Sequence, residues 1–106
     1  MIVHNNHLQK VVELLQKRIK PEAIYLFGSQ VSGKALEQSG DVDLCIIVAD
    51  DREPYRETVH AYESLQEMPF PKDIIVRRKS RFNERADWPY TLENEVRKTG
   101  RRIFPA

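Results

Sequence analysis

"LFGSQVSGKALEQSGDVDL", residues 26–44, joins two apolar runs through a Gly-Ser pair and a polar segment. Asp41 and Asp43 are separated by a single valine at the start of the second apolar run. Carboxylates at the end of a buried strand are costly to desolvate unless a cation or a hydrogen-bond donor compensates them. The position of these two aspartates therefore needs a chemical explanation, and the predicted strands and helices around them indicate one.

The composition limits the class of protein to which this stretch can belong. The 106 residues predict one domain, 1–106, and 41% hydrophobic with 31% charged residues is typical of a soluble globular protein. The longest apolar run, 44–49, is too short to span a membrane, and the first ten residues lack the apolar segment of a secretion signal. The single cysteine, Cys45, excludes an internal disulfide and predicts the reducing cytoplasm; its place inside an apolar run predicts a core residue.

The formal net charge of +1 hides an asymmetry along the chain. Residues 1–72 carry 8 Lys and Arg against 11 Asp and Glu, whereas residues 73–106 carry 9 against 5. Such a separation can steer a phosphate-bearing ligand or an acidic partner, although a solvated basic face is the commoner cause. The near-zero net charge and the lack of interleaved aromatic and basic residues argue against nucleic acid as a direct ligand.

Three segments have signals of helices, and the segment between Ser29 and Gly40 can form a short helix or a turn. The first covers 5–20 and ends before Pro21, whose ring cannot continue a helix. The second begins at Pro54, because proline suits the first turn of a helix. Its apolar residues recur at helical spacing: Tyr55, Val59, Tyr62 and Leu65. The third is predicted to be capped by Thr91 and to stop at Gly100.

Three apolar runs predict strands at 23–27, 41–49 and 73–76, and residues 102–104 can add a short fourth strand. The run 41–49 is apolar on both faces, which implies burial on both sides. The expected fold is therefore α/β with α+β character, a small mixed sheet of about three main strands flanked by helices.

The predicted strands bring separated features to one edge of the sheet. If the first two strands pair antiparallel, Gly28 and Ser29 lie beside Asp41 and Asp43. The connection to the third strand is long enough for a helical crossover, so that strand is parallel to the second and begins with Asp73 at the same edge. Three carboxylates there would repel one another without a cation, and Mg²⁺ prefers such oxygen ligands. The sequence thus predicts a magnesium site.

The combination is more specific than its parts, since a D-x-D pair or a Gly-Ser turn alone is frequent by chance. The pattern "GS…DVD…D" on this order of elements resembles the minimal nucleotidyltransferases of the DNA polymerase β superfamily. The likeness covers nearly the whole chain, including the ending "LENEVRKTGRRIF". The resemblance implies that Gly28 and Ser29 bind a triphosphate and that Asp41 and Asp43 hold two Mg²⁺ ions, with Mn²⁺ as an alternative. Asp73 would complete the metal site nearest the attacking hydroxyl.

One stretch departs from the family pattern. Many members follow Gly-Ser with an arginine and place another two residues on, whereas this chain has Gln30, Val31 and Ser32. Lys34 is the nearest cation that could take over the phosphate contact. The intact aspartates favour an enzyme, and Gln30 favours a non-catalytic module that acts by binding alone.

The activity that the resemblance implies is transfer of a nucleoside monophosphate, with AMP from ATP as the expected case, onto a hydroxyl. The implied partner is a helical HEPN-type protein, a toxin that this chain would restrain, with one of its tyrosines as a candidate acceptor. The alternative is an antitoxin that acts through complex formation only. Homo-oligomerisation stays open, and so does the role of the basic run 77–85: a solvated face, a partner contact or a phosphate contact.

Overall fold

The computed structural model describes residues 5–28 and 42–105. Over these residues the elements follow in the order α1 (Asn5–Arg18), β1 (Pro21–Phe27), β2 (Val42–Val48), α2 (Pro54–Ser64), β3 (Lys72–Arg78), α3 (Lys79–Ala86), α4 (Leu92–Thr99) and β4 (Arg101–Phe104). No helix within these two ranges is long and apolar enough to cross a membrane. The expected α/β class is confirmed.

The strands form one mixed sheet in the order β3-β2-β1-β4. β1 pairs antiparallel with β2 and with β4, and β2 pairs parallel with β3. The helix α2 lies within the crossover that joins the two parallel strands, as parallel pairing requires. Both predicted pairings are confirmed, and the short terminal strand makes the sheet four-stranded.

Two apolar clusters cover the two faces of the sheet. Val42, Leu44 and Ile46 of β2 pack with core residues of α1 and α2 on one face. Cys45 and Ile47 pack with residues of α3 and α4 on the other face. Burial on both faces is the reason that β2 reads as a nearly continuous apolar run.

Cys45 is a core residue, as its position in the sequence predicts. Its side chain is fully buried in the cluster beneath α3 and α4. Burial raises the pKa of the Cys45 thiol to about 12, well above its ordinary value. The thiolate is the reactive form of cysteine, so this side chain is inert at neutral pH.

Two helices differ from the sequence-based expectation. α2 begins at Pro54 as predicted, but three of the apolar side chains that indicated it, Tyr55, Val59 and Tyr62, are exposed, and only Leu65 at its C-terminal end is in the core. Within the helix the buried residues are Glu57 and Ala61. Glu57 accepts a hydrogen bond of 3.1 Å from Arg52, which compensates its burial.

α3 was not predicted, because only Phe82 and Ala86 give its eight residues a buried side.

Candidate active site

Phe27, Asp43 and Asp73 form one row across three strands. Phe27 is paired with Asp43 in the register of β1 and β2, and Asp43 is paired with Asp73 in the register of β2 and β3. Directly paired residues of neighbouring strands place their side chains on the same face of the sheet. The two carboxylates are therefore neighbours, although 29 residues separate them along the chain.

Asp43 is the least buried residue of its strand. The other six residues of β2 are buried, whereas Asp43 is half-buried and its neighbour Asp73 is exposed. A half-buried and an exposed carboxylate side by side can both reach a ligand that approaches this end of the sheet. Because Asp73 is exposed, keeping its carboxylate charged costs little in desolvation.

Gly28 follows β1 and lies directly against Asp43. Its φ of +78° is in the left-handed region, which glycine adopts without steric cost. A Cβ built on Gly28 would collide with the carboxylate oxygen Oδ2 of Asp43. The backbone conformation therefore favours glycine here, and any side chain would displace the carboxylate of Asp43.

The described residues fit part of a metal site. Asp43 and Asp73 supply two adjacent carboxylates, the oxygen ligands that Mg²⁺ prefers. Within the described ranges no group of three or more His, Cys, Asp or Glu side chains comes together to hold a metal ion. The third predicted ligand, Asp41, and the predicted phosphate contacts Ser29 and Lys34 lie outside the described residues. The structure therefore brings together Gly28, Asp43 and Asp73 of the predicted set.

The basic run 77–85 begins at the opposite end of β3. Arg78 is five residues beyond Asp73, which corresponds to about 16 Å along a strand. Arg77 Nε donates to Oε2 of Glu93 at 2.9 Å, and Arg85 Nε donates to Oε1 of the same carboxylate at 3.2 Å. These two arginines therefore join β3 and α3 to α4, which is a structural role.

Glu93 is a buried carboxylate that sequence reasoning missed. Its side chain is 3% exposed in the first turn of α4. Burial raises the pKa of Glu93, but hydrogen bonds from its own backbone N–H, Arg77 and Arg85 outweigh burial and hold the pKa below its usual range. The sequence signal was an acidic residue in the first turn of a predicted helix, a position that is usually solvated.

The family assignment rests on nearly the whole sequence. The polymerase beta, nucleotidyltransferase family matches residues 9–106. The chain belongs to this family. The resemblance drawn from the Gly-Ser and aspartate pattern is thereby confirmed, together with the nucleotidyltransferase fold. As a rule, nucleotidyltransferases use a nucleoside triphosphate and divalent metal ions, which agrees with a carboxylate pair at an accessible sheet end.

A solved structure shares this fold. It is a crystal structure of a mutant of the toxin-antitoxin MntA-HpeT, and the likeness covers 93% of this chain and 73% of that chain. The TM-score is 0.59 at 18% sequence identity, so the likeness concerns the fold. A search of curated proteins found no match.

Proposed function

We propose that this protein is an Mg²⁺-dependent nucleotidyltransferase that transfers AMP from ATP to a hydroxyl acceptor. The observation that carries the proposal is the pairing of Asp43 with Asp73 on adjacent strands, with Gly28 packed against Asp43. Asp41 is proposed as the third carboxylate, since it precedes Asp43 by two positions. Residues 1–106 would form one nucleotidyltransferase domain.

In the proposed reaction the acceptor oxygen attacks the α-phosphorus of ATP. A new P–O bond forms while the bond from that phosphorus to the α,β-bridging oxygen breaks; pyrophosphate leaves with the electron pair, and the hydroxyl proton passes to solvent. Two bound Mg²⁺ ions, or Mn²⁺ in their place, would lower the pKa of the hydroxyl and neutralise the leaving pyrophosphate.

The residues of the chain would mainly position and neutralise charge. Asp41 and Asp43 would hold both ions, and Asp73 would complete the site on the side of the acceptor. Gly28 would let a phosphate approach the backbone closely, because no side chain stands in its way. Ser29 and Lys34, next along the chain, are the proposed further phosphate contacts.

We propose a HEPN-type helical protein as the carrier of the acceptor hydroxyl, in a toxin-antitoxin pair in the cytoplasm. The toxin-antitoxin nature of the complex with a similar fold supports a protein partner. That complex was crystallised as a mutant with two Asp-to-Glu substitutions two positions apart, the spacing of Asp41 and Asp43. The HEPN type rests on the sequence resemblance, and the cytoplasmic location stays a prediction from the single cysteine.

The test is a label-transfer experiment with ATP labelled at the α-phosphate. The purified chain, Mg²⁺ and the product of the neighbouring gene, as the candidate helical partner, are mixed, and label is followed on each polypeptide. We expect label on the partner, lost with Asp43→Asn and kept with Asp51→Asn, a matched exposed aspartate beyond the other end of β2. Normal binding of metal and ATP without any labelled polypeptide would contradict transfer and favour the antitoxin that acts by complex formation.

A further inference from the structure

α2 carries an apolar stripe on its outer face. Tyr55 is 76% exposed, and Val59 and Tyr62 are each 40% exposed. Because the three residues are spaced by four and then three, they lie along one side of the helix. Scattered exposed apolar residues need no explanation, whereas a contiguous row indicates a contact surface. Tyrosine is also enriched at the residues that dominate binding energy in protein interfaces.

One aromatic ring of the stripe is held in place. The hydroxyl oxygen of Tyr62 accepts a hydrogen bond of 2.9 Å from the backbone N–H of Ile74, on the outer edge of β3. A side chain that is already fixed loses little conformational entropy when a partner covers it. The stripe is therefore preorganised at this end.

An opposite pair of charges flanks the stripe. Arg56 follows Tyr55 and Glu63 follows Tyr62, so both lie on the same flank of α2, two turns apart. Arg56 is exposed and makes no ion pair with any described residue. Glu63 contacts Arg18 at 3.0 Å, but both side chains are about half exposed, and such surface pairs contribute little.

We propose that two copies of this chain associate through α2 as an antiparallel helix pair with two-fold symmetry. In this arrangement Val59 meets Val59 at the axis, and Tyr55 of each copy meets Tyr62 of the other. The two-fold axis is perpendicular to the helices, so each flank of the stripe faces the same flank of the second copy. Arg56 of each copy therefore meets Glu63 of the other copy, once at each end of the contact. The spacing by four and three is that of the apolar seam between two packed helices.

The charge pattern selects a second copy in this orientation. In a parallel pair the two-fold axis runs along the helices and places the flank that carries Arg56 and Glu63 on opposite sides of the two copies, so these charges would not meet. The antiparallel pair makes two opposite-charge contacts from the same residues. An unrelated partner would not require the tyrosines and the charges to be arranged symmetrically about Val59.

The contact is expected to be weak. An 11-residue helix is about 16 Å long, which buries less than the roughly 800 Å² per partner of a standard interface. We therefore expect a dissociation constant on the order of tens of micromolar. The inference goes beyond the proposed function and does not rest on it, because nucleotide and partner are absent from its test.

Analytical ultracentrifugation of the chain alone tests the pairing. We expect the average mass to rise from monomer toward dimer as concentration increases, and Val59→Arg to keep the chain monomeric because two arginines would meet at the axis. Tyr90→Arg is the matched control, since it places an arginine at a fully exposed aromatic outside α2. The melting temperature of each variant verifies folding. Association that survives Val59→Arg, or that Tyr90→Arg abolishes instead, would overturn the proposal.

A charge swap tests the antiparallel orientation. Arg56→Glu places two like-charge contacts in the dimer and should raise the dissociation constant by about fivefold or more. Adding Glu63→Arg should restore association toward the original strength. Failure of the double variant to recover would overturn the orientation. A chain that stays monomeric at all concentrations would overturn self-association.

Discussion

Asp43 is the polar exception in a strand whose neighbours Val42 and Leu44 lie in the core. Its position was predictable, because a D-x-D pair before a long apolar run conflicts with ordinary strand chemistry. Its contact with Gly28 was predictable as well, since antiparallel pairing brings the end of β1 beside the start of β2. Asp41 and Ser29 stay predictions, because they lie outside the described residues.

Gly28→Ala should destabilise the protein by about 1–2 kcal/mol, because alanine is strained at positive φ and its Cβ meets the carboxylate of Asp43. Urea unfolding at neutral pH measures this cost. In an Asp43→Ala background the collision is removed and only the backbone strain remains, so the same substitution should cost less. Equal costs in both backgrounds would show that Gly28 and Asp43 do not compete for space.

Asp73→Asn should abolish transfer while much of the ATP affinity remains. In the proposed site Asp73 serves the acceptor side, and Asp41 with Asp43 still hold the metal ion that binds the triphosphate. Calorimetric titration with Mg²⁺ and a non-hydrolysable ATP analogue separates binding from activity. If Asp73→Asn loses binding as severely as Asp43→Asn does, the two carboxylates do not divide these roles.

Glu93→Gln should cost about 2 kcal/mol at pH 7, since it weakens the contacts of two partly buried arginines. The lowered pKa of Glu93 means that its contribution is fully present above the pKa of about 4.3 in the unfolded chain. That contribution is lost as pH falls through the lower pKa of the folded state. The difference from wild type in the free energy of unfolding should therefore shrink below about pH 4.

The measurement is urea unfolding of both proteins across that pH range. Glu95→Gln is the control, because Glu95 lies exposed on the same helix. A deficit for Glu93→Gln that is equally large at pH 7 and at acidic pH would contradict an ionised, arginine-bound Glu93.

At the scale of elements, α4 has the clearest local signal. Thr91 is its N-cap: Oγ1 accepts from the N–H of Asn94 at 3.0 Å and donates to the carbonyl oxygen of Arg85 at 2.8 Å. Thr91→Ala should therefore reduce the free energy of unfolding by about 1–2 kcal/mol. Thr99→Ala removes a hydroxyl from the exposed last turn of the same helix and should change it by less than about 0.5 kcal/mol. Thermal unfolding compares the two, and equal losses would contradict the capping role.

Other elements were harder to predict for physical reasons. α3 lies beyond a strand without an intervening loop, and most of its side chains are polar, so periodicity gave it no signal. Its N-terminus is instead stabilised by a distant residue, because the backbone N–H of Ser80 donates to Asp50. The spacing on α2 predicted a helix correctly, but spacing does not say whether an apolar side faces the core or a partner.

The sheet carries a pair of aspartates at one end and two arginines of β3 at the other. Asp43 and Asp73 lie at one end, and Arg77 and Arg78 lie at the other. The asymmetry along the sequence did not indicate this arrangement in space, and the sequence could not say which arginines are used structurally. The pairing of Arg77 and Arg85 with Glu93 joins residues 16 and 8 positions apart, and only the packed fold creates it.

The reversal Arg78→Glu with Arg81→Glu should leave the affinity for Mg²⁺ and ATP within about twofold. Arg78 lies about 16 Å from Asp73 along β3, about twice the Debye length at physiological ionic strength. Both side chains are exposed and neither holds Glu93. Arg78 donates one exposed hydrogen bond, to the carbonyl oxygen of Arg52, so the fold should persist with a small loss of stability. Arg77 is left in place because its reversal would put two carboxylates in contact at a buried site.

The same reversal should weaken and slow association with the proposed helical partner, because these arginines lie exposed at the end of the sheet opposite Asp73. The association should also depend less on salt. Lys10→Glu with Lys17→Glu is the matched control, since it makes an equal change of charge on α1. Titrating each variant separately with partner and with Mg²⁺-ATP distinguishes a partner contact from a phosphate contact, and a solvated face would change neither. If only the nucleotide signal is lost with Arg78→Glu and Arg81→Glu, these arginines bind phosphate, and their assignment to a protein partner is wrong.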